Sequence, residues 1–167
     1  MVFSTSLMYN KHIIEVYKMG LDQSVILVEK KDNCGKEDNE SYHGLEGWVP
    51  SGENDENKFY WRKHARLQVF MADKFKKQKP TKINSDSELA HLGFNCDSLF
   101  ITGEILDDLD SAVKDGYKHF FASDGYFWGQ QFQEEAVQEY KKQDKEFLKW
   151  ARKQIKANKV IIYTCSW

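Results

Sequence analysis

Between Lys58 and Lys82 the chain carries Lys58, Arg62, Lys63, Arg66, Lys74, Lys76, Lys77, Lys79 and Lys82 against a single acid, Asp73. If this stretch is helical, Arg62 and Arg66 stand four residues apart and project to the same side. Two guanidinium groups in that relation can hold a phosphate through paired N–H donors, with Lys63 beside them as a point charge. Trp61 and His64 offer flat surfaces against which a base can lie. Trp61, Arg62, Lys63 and Arg66 are therefore candidate ligand-binding residues. The competing reading is a solvated basic face paired with acids elsewhere.

A second candidate is the run Ser123-Asp124-Gly125-Tyr126-Phe127-Trp128-Gly129. Its glycines permit positive φ or close backbone approach. Three consecutive aromatic residues cannot all be buried in one strand, because neighbours point to opposite faces. Tyr126 and Trp128 are thus candidates for contact with a ligand, set against simple packing. The spacing matches neither a dinucleotide-binding nor a P-loop pattern.

Catalytic and metal signals are weak. Asp107 and Asp110, in an acidic stretch with Glu104 and Asp108, can face a hard cation, but no further ligand is evident. Cys96 lies near His91, yet a nucleophile–base pair needs spatial contact that sequence does not supply. No HExxH, GxSxG or HxE…CxxC pattern occurs. No catalytic residue, metal site or cofactor is assigned.

These residues need elements to position them. Ser24–Glu29 reads as a buried strand from its aliphatic, β-branched composition. Residues 32–57 form a long polar loop bearing Gly35, Gly44, Gly47 and Gly52, with Trp48 and Val49 as points that pin it to the body. Phe59–Lys77 has apolar residues at helical spacing and is predicted as one helix ending before Pro80. A short helix is expected at Ser85–Leu92 and a strand at Ser98–Thr102. Thr102 is the expected N-cap of a helix over Gly103–Asp115, and Gly116 its terminator. Gln130–Asn158 reads as largely helical with a break near Tyr140–Asp144, and Lys159–Thr164 as a closing strand. Three separated strands with helices between them predict an α+β fold, a small sheet of about three strands covered by helices.

The bulk properties bound the rest. A chain of 167 residues is about one domain, large enough to bury a core. Eleven Phe, eight Tyr and five Trp argue against disorder over most of it. A net charge of −2 argues against general nucleic-acid binding. Cys34, Cys96 and Cys165 are odd in number and far apart, which suits reduced thiols in a cytosol. No apolar run approaches the ~20 residues of a membrane span, and the start lacks a signal-peptide pattern.

Five motifs in order carry a family resemblance: Met19-Gly20-Leu21-Asp22; Phe59-Tyr60-Trp61-Arg62-Lys63; Asn95-Cys96 with Thr102-Gly103-Glu104-Ile105-Leu106-Asp107-Asp108-Leu109; Gly125-Tyr126-Phe127-Trp128-Gly129; and Ile162-Tyr163-Thr164-Cys165-Ser166-Trp167. Residues 19–167 resemble a family of small bacteriophage and prophage proteins. Its typical members start Met-Gly-Leu-Asp, carry Tyr-Trp-Arg-Lys and a Gly-aromatic-Gly loop, and end in Ser-Trp. Here His64-Ala65 replaces the family's Ala-Asn, Gln68 stands near a later family histidine, and Tyr126 and Trp128 replace phenylalanines. Any chemistry that relatives perform with that histidine is in doubt here. Residues 1–18 become an N-terminal extension, genuine or a difference in start site.

The resemblance implies a phage-encoded accessory protein in a bacterial host cytosol, with an anti-defence role as one use. The leading expectation is a non-enzymatic protein that sequesters a phosphate-bearing small molecule such as a nucleotide signal. The alternatives are an inhibitor of a host or defence protein, contacting it through the 32–57 loop and the aromatic loop, and a nucleotide-hydrolysing enzyme. The aromatic content leaves room for a homo-oligomeric interface.

Overall fold

The computed structural model describes residues 20–30, 45, 47–51, 59–79, 94–120, 128–129 and 134–167. Their order is β1 (Asp22–Lys30), β2 (Trp48–Pro50), β3 (Phe59–Arg62), α1 (Ala65–Gln78), β4 (Ser98–Phe100), α2 (Gly103–Lys114), α3 (Glu134–Lys156) and β5 (Val160–Ser166). The fold is α+β, with five strands among the described residues rather than about three. The expected helix at 85–92 and the extension 1–18 lie outside the described residues.

β1 is the hub of an antiparallel sheet in the order β2-β1-β5-β4. It pairs with β5 from Asp22↔Ser166 to Val28↔Val160. Along its other edge it pairs first with β3 (Asp22↔Arg62 to Val25↔Phe59) and then with β2 (Val28↔Pro50 to Lys30↔Trp48). Trp48 and Val49 thus do pin the polar segment to the sheet.

Both faces of the sheet are covered, which explains the near-continuous aliphatic run in β1. Val25, Leu27, Trp61, Leu99, Ile161 and Tyr163 join the large core with the buried sides of the three helices. Ile26, Val28 and Ile162 form a smaller cluster on the opposite face with Leu45, against which Trp48, Phe100 and Val160 pack.

Two sequence expectations are corrected. Phe59–Lys77 is not one helix, because its first four residues alternate as a strand. Trp61 enters the core with Phe59 packed against it, while Tyr60 is exposed. The chain then turns through Lys63 at φ 62 before α1 starts. A non-glycine residue with positive φ is uncommon, and apolar spacing does not reveal it. The break expected near Tyr140–Asp144 is absent: α3 runs unbroken through it. Asp144, a polar residue in the helix interior, is fully buried and hydrogen-bonded by other elements.

The termini of α2 follow the sequence. The Thr102 hydroxyl accepts from Ile105 N–H at 3.3 Å. Gly116 has φ +70 and its N–H reaches Val113 O, while Tyr117 N–H reaches Ala112 O at 2.7 Å. This is a Schellman ending. It turns the Tyr117 side chain back into the core.

Candidate functional site

The polar centre of the molecule is Asp144 of α3. Its carboxylate accepts hydrogen bonds from Trp61 Nε1 at 2.9 Å, His64 Nε2 at 3.0 Å and Tyr117 Oη at 2.8 Å. The four residues come from β3, the N-cap of α1, the end of α2 and the middle of α3. Each helix is therefore tied to the same buried acid.

His64 also caps α1. Its Nδ1 accepts from Leu67 N–H at 3.4 Å, so the ring proton is assigned to Nε2, facing Asp144. Both ring nitrogens are engaged, and Tyr140 stacks on the ring with centroids 4.1 Å apart. In this arrangement His64 organises the core and has no nitrogen turned toward a substrate.

The network continues through β1. Gln23 Oε1 accepts from His64 N–H at 2.9 Å, and its Nε2 donates to His64 O at 3.1 Å and to Tyr163 Oη at 2.7 Å. Tyr163 Oη donates to Gln68 Oε1 at 2.7 Å, and Gln68 Nε2 donates to Cys165 Sγ at 3.2 Å. Buried polar groups are tolerated when paired in this way. Gln68 is a link in this chain.

Burial pushes the Tyr117 and Tyr163 phenols well above their ordinary value of 10.0, and Asp144 adds to both shifts. Burial also raises the Cys165 thiol. A raised folded-state value means that the folded protein holds its proton where the unfolded chain has lost it. The stability from the two phenols is therefore complete below pH 10 and declines as pH rises beyond it. In an alkaline absorbance titration, two of the eight tyrosines should ionise only together with loss of far-UV circular dichroism. Ionisation of all eight near pH 10 with the fold intact would contradict this assignment.

The sequence-proposed residues separate. Trp61 is fully buried, with its ring against Phe59 and Phe147. Arg62 does not sit beside Arg66 on a helix, as expected, because it lies in β3. It pairs with Asp22, which holds its guanidinium above the ordinary value, and Tyr60 donates to the same carboxylate. Lys63 lies in the turn, where its carbonyl and that of Arg62 accept from Tyr140 Oη at 3.1 and 2.9 Å. Trp128 is half-buried and meets Trp167 edge-on, with centroids 6.4 Å apart. Tyr126 lies outside the described residues.

Among the described residues of the group, Arg66 lines a cavity. A pocket of about 60 Å³ is walled by His64, Arg66, Val113, Gly116, Tyr117, Val137, Gln138, Tyr140 and Lys141. Arg66 Nη1 reaches Gly116 O at 3.3 Å, across the negative end of α2. The pocket lies at the N-terminus of α1, whose first turn contains no acid. Arg66, Lys141 and the positive end of that helix give one side of it a cationic character. Among the described residues no cluster of three or more His, Cys, Asp or Glu could hold a metal ion.

Sequence reasoning missed Tyr117, Tyr140, Lys141 and Asp144. One signal was present: Asp144 falls within the apolar series Tyr140, Phe147, Leu148, Ala151 of α3, where an acid must have a buried partner. Nothing local marks Lys141 as close to Arg66.

No family model, curated protein or solved structure matches the chain. Among the described residues no helix is long and apolar enough to cross a membrane.

Proposed function

We propose that this is a non-enzymatic binding protein that captures the phosphate group of a small molecule, such as a nucleotide signal, in the pocket at the start of α1. In this reading it is a phage-encoded accessory protein that sequesters its ligand in a bacterial host cytosol. The carrying observation is the convergence of Arg66 and Lys141 on a small cavity at a helix N-terminus without acids. Backbone N–H groups and the helix dipole favour an anion there, and a guanidinium adds directed donors. At about 60 Å³ the cavity offers a few water-sized positions of about 10–15 Å³ each. That suits one compact group, with the remainder of the ligand lying outside. Arg66 shares the pocket with Lys141, whereas Trp61 is in the core and Arg62 pairs with Asp22 in β3. The engagement of both His64 nitrogens favours binding over hydrolysis.

The test is a thermal-shift screen against nucleoside mono- and triphosphates, cyclic nucleotides and inorganic phosphate. A ligand at 100 times its Kd stabilises by about 2.7 kcal/mol, a shift of a few degrees for a domain of this size. Arg66→Glu should remove the shift, whereas Arg62→Glu, in β3, should retain it. Loss in Arg62→Glu with retention in Arg66→Glu would refute the placement.

A further inference from the structure

A second concentration of positive charge lies on α3, and only Lys141 at its start also lines the pocket. Lys141, Lys142, Lys145, Lys149, Arg152, Lys153 and Lys156 fall within an arc of about 120° when wound at 3.6 residues per turn. Five of them, Lys145, Lys149, Arg152, Lys153 and Lys156, line an open groove of about 490 Å³ with Leu148 and with Asp110 of α2.

The acids of α2 do not neutralise this groove. Asp107 and Asp110 both pair with Arg152, at 3.0 and 3.4 Å, and Lys114 shares Asp110. Asp108 pairs with Lys74 of α1. Lys145, Lys149, Lys153 and Lys156 are exposed, and none lies within ion-pair distance of a described carboxylate. The helix dipole favours cations only in the last turn, which accounts for Lys153 and Lys156 but not for Lys145 and Lys149.

We propose that this groove is a docking surface for an acidic helix of a partner protein. Lys145, Lys149 and Lys153 succeed one another every four residues, a rise of about 6 Å per step. A helix bearing Glu or Asp every four residues repeats its charge with the same rise, so a helix laid along the groove meets one ammonium group per carboxylate. Among the described residues the groove has no aromatic side chain on which a base could stack. That, with the four-residue spacing of the ammonium groups, favours an acidic helix over a stacked single strand of nucleic acid.

Fluorescence anisotropy on the full chain tests this. The probe is a labelled alanine-based helical peptide with Glu at every fourth position, compared with an isomer whose same Glu residues are scattered around the helix, and with a short duplex DNA. The patterned peptide should bind more tightly than the other two. Its affinity should fall about tenfold or more, equivalent to 1.4 kcal/mol, in Lys149→Glu/Lys153→Glu, and the melting temperature should confirm that this surface variant is folded. Equal binding of the two isomers, tighter binding of the duplex, or unchanged affinity in the variant would each overturn the proposal.

Discussion

Replacing Asp144 by alanine should destabilise the protein by about 4 kcal/mol, read as a lowered urea midpoint with little change in slope. The substitution removes the common acceptor of Trp61, His64 and Tyr117. Three buried donors then lack a partner, and each such group costs about 1–3 kcal/mol, with the sum reduced by relaxation. Asp144→Asn should recover only part of the loss. Its amide supplies one acceptor, and its NH2 must face a donor whichever way it turns. A tautomer change in His64 does not resolve this, because Nδ1 already accepts from Leu67 N–H. A loss under about 1 kcal/mol in the alanine variant would mean that the three donors find other partners.

The second large effect concerns Trp61. Trp61→Ala should cost about 3–5 kcal/mol, the range for emptying a buried aromatic site. The indole is fully buried between Phe59 and Phe147. Trp61→Phe keeps most of the packing and loses the donor to Asp144, so a cost of about 1 kcal/mol is expected. The pair separates the cavity from the hydrogen bond in one denaturation series. A Trp61→Ala variant of wild-type stability that no longer bound nucleotide would return this residue to the ligand site and contradict its place in the core.

These two side chains show what was legible in the sequence. The aliphatic run of β1, the Thr102 and Gly116 boundaries of α2 and the closing strand are local patterns, and each of these marks its element. Phe59–Arg62 was misread because four residues satisfy a period of two and a period of 3.6 almost equally. The turn at Lys63 that decides between them is set by tertiary contacts, including the Tyr140 hydroxyl on the Arg62 and Lys63 carbonyls. That misreading carried the site with it. Arg62 and Arg66 are neighbours only if both are helical, and the strand separates them. Arg66 and Lys141 line one pocket because Tyr140 of α3 stacks on His64 at the start of α1, a contact between residues far apart in the chain. Asp144 was visible as an anomaly in an apolar stripe, but its three donors lie on other elements.

The central claim is that the pocket at the N-terminus of α1 receives an anionic group. The most direct measurement is a two-dimensional amide NMR titration of the nitrogen-labelled protein with a nucleoside monophosphate and with inorganic phosphate. The account predicts saturable shifts concentrated at Ala65, Arg66 and Leu67, at Gly116 and Tyr117, and around Gln138 and Lys141. Shifts confined to the groove of Lys145, Lys149 and Lys153, shifts centred on Arg62, or a spectrum unchanged at saturating ligand would contradict it.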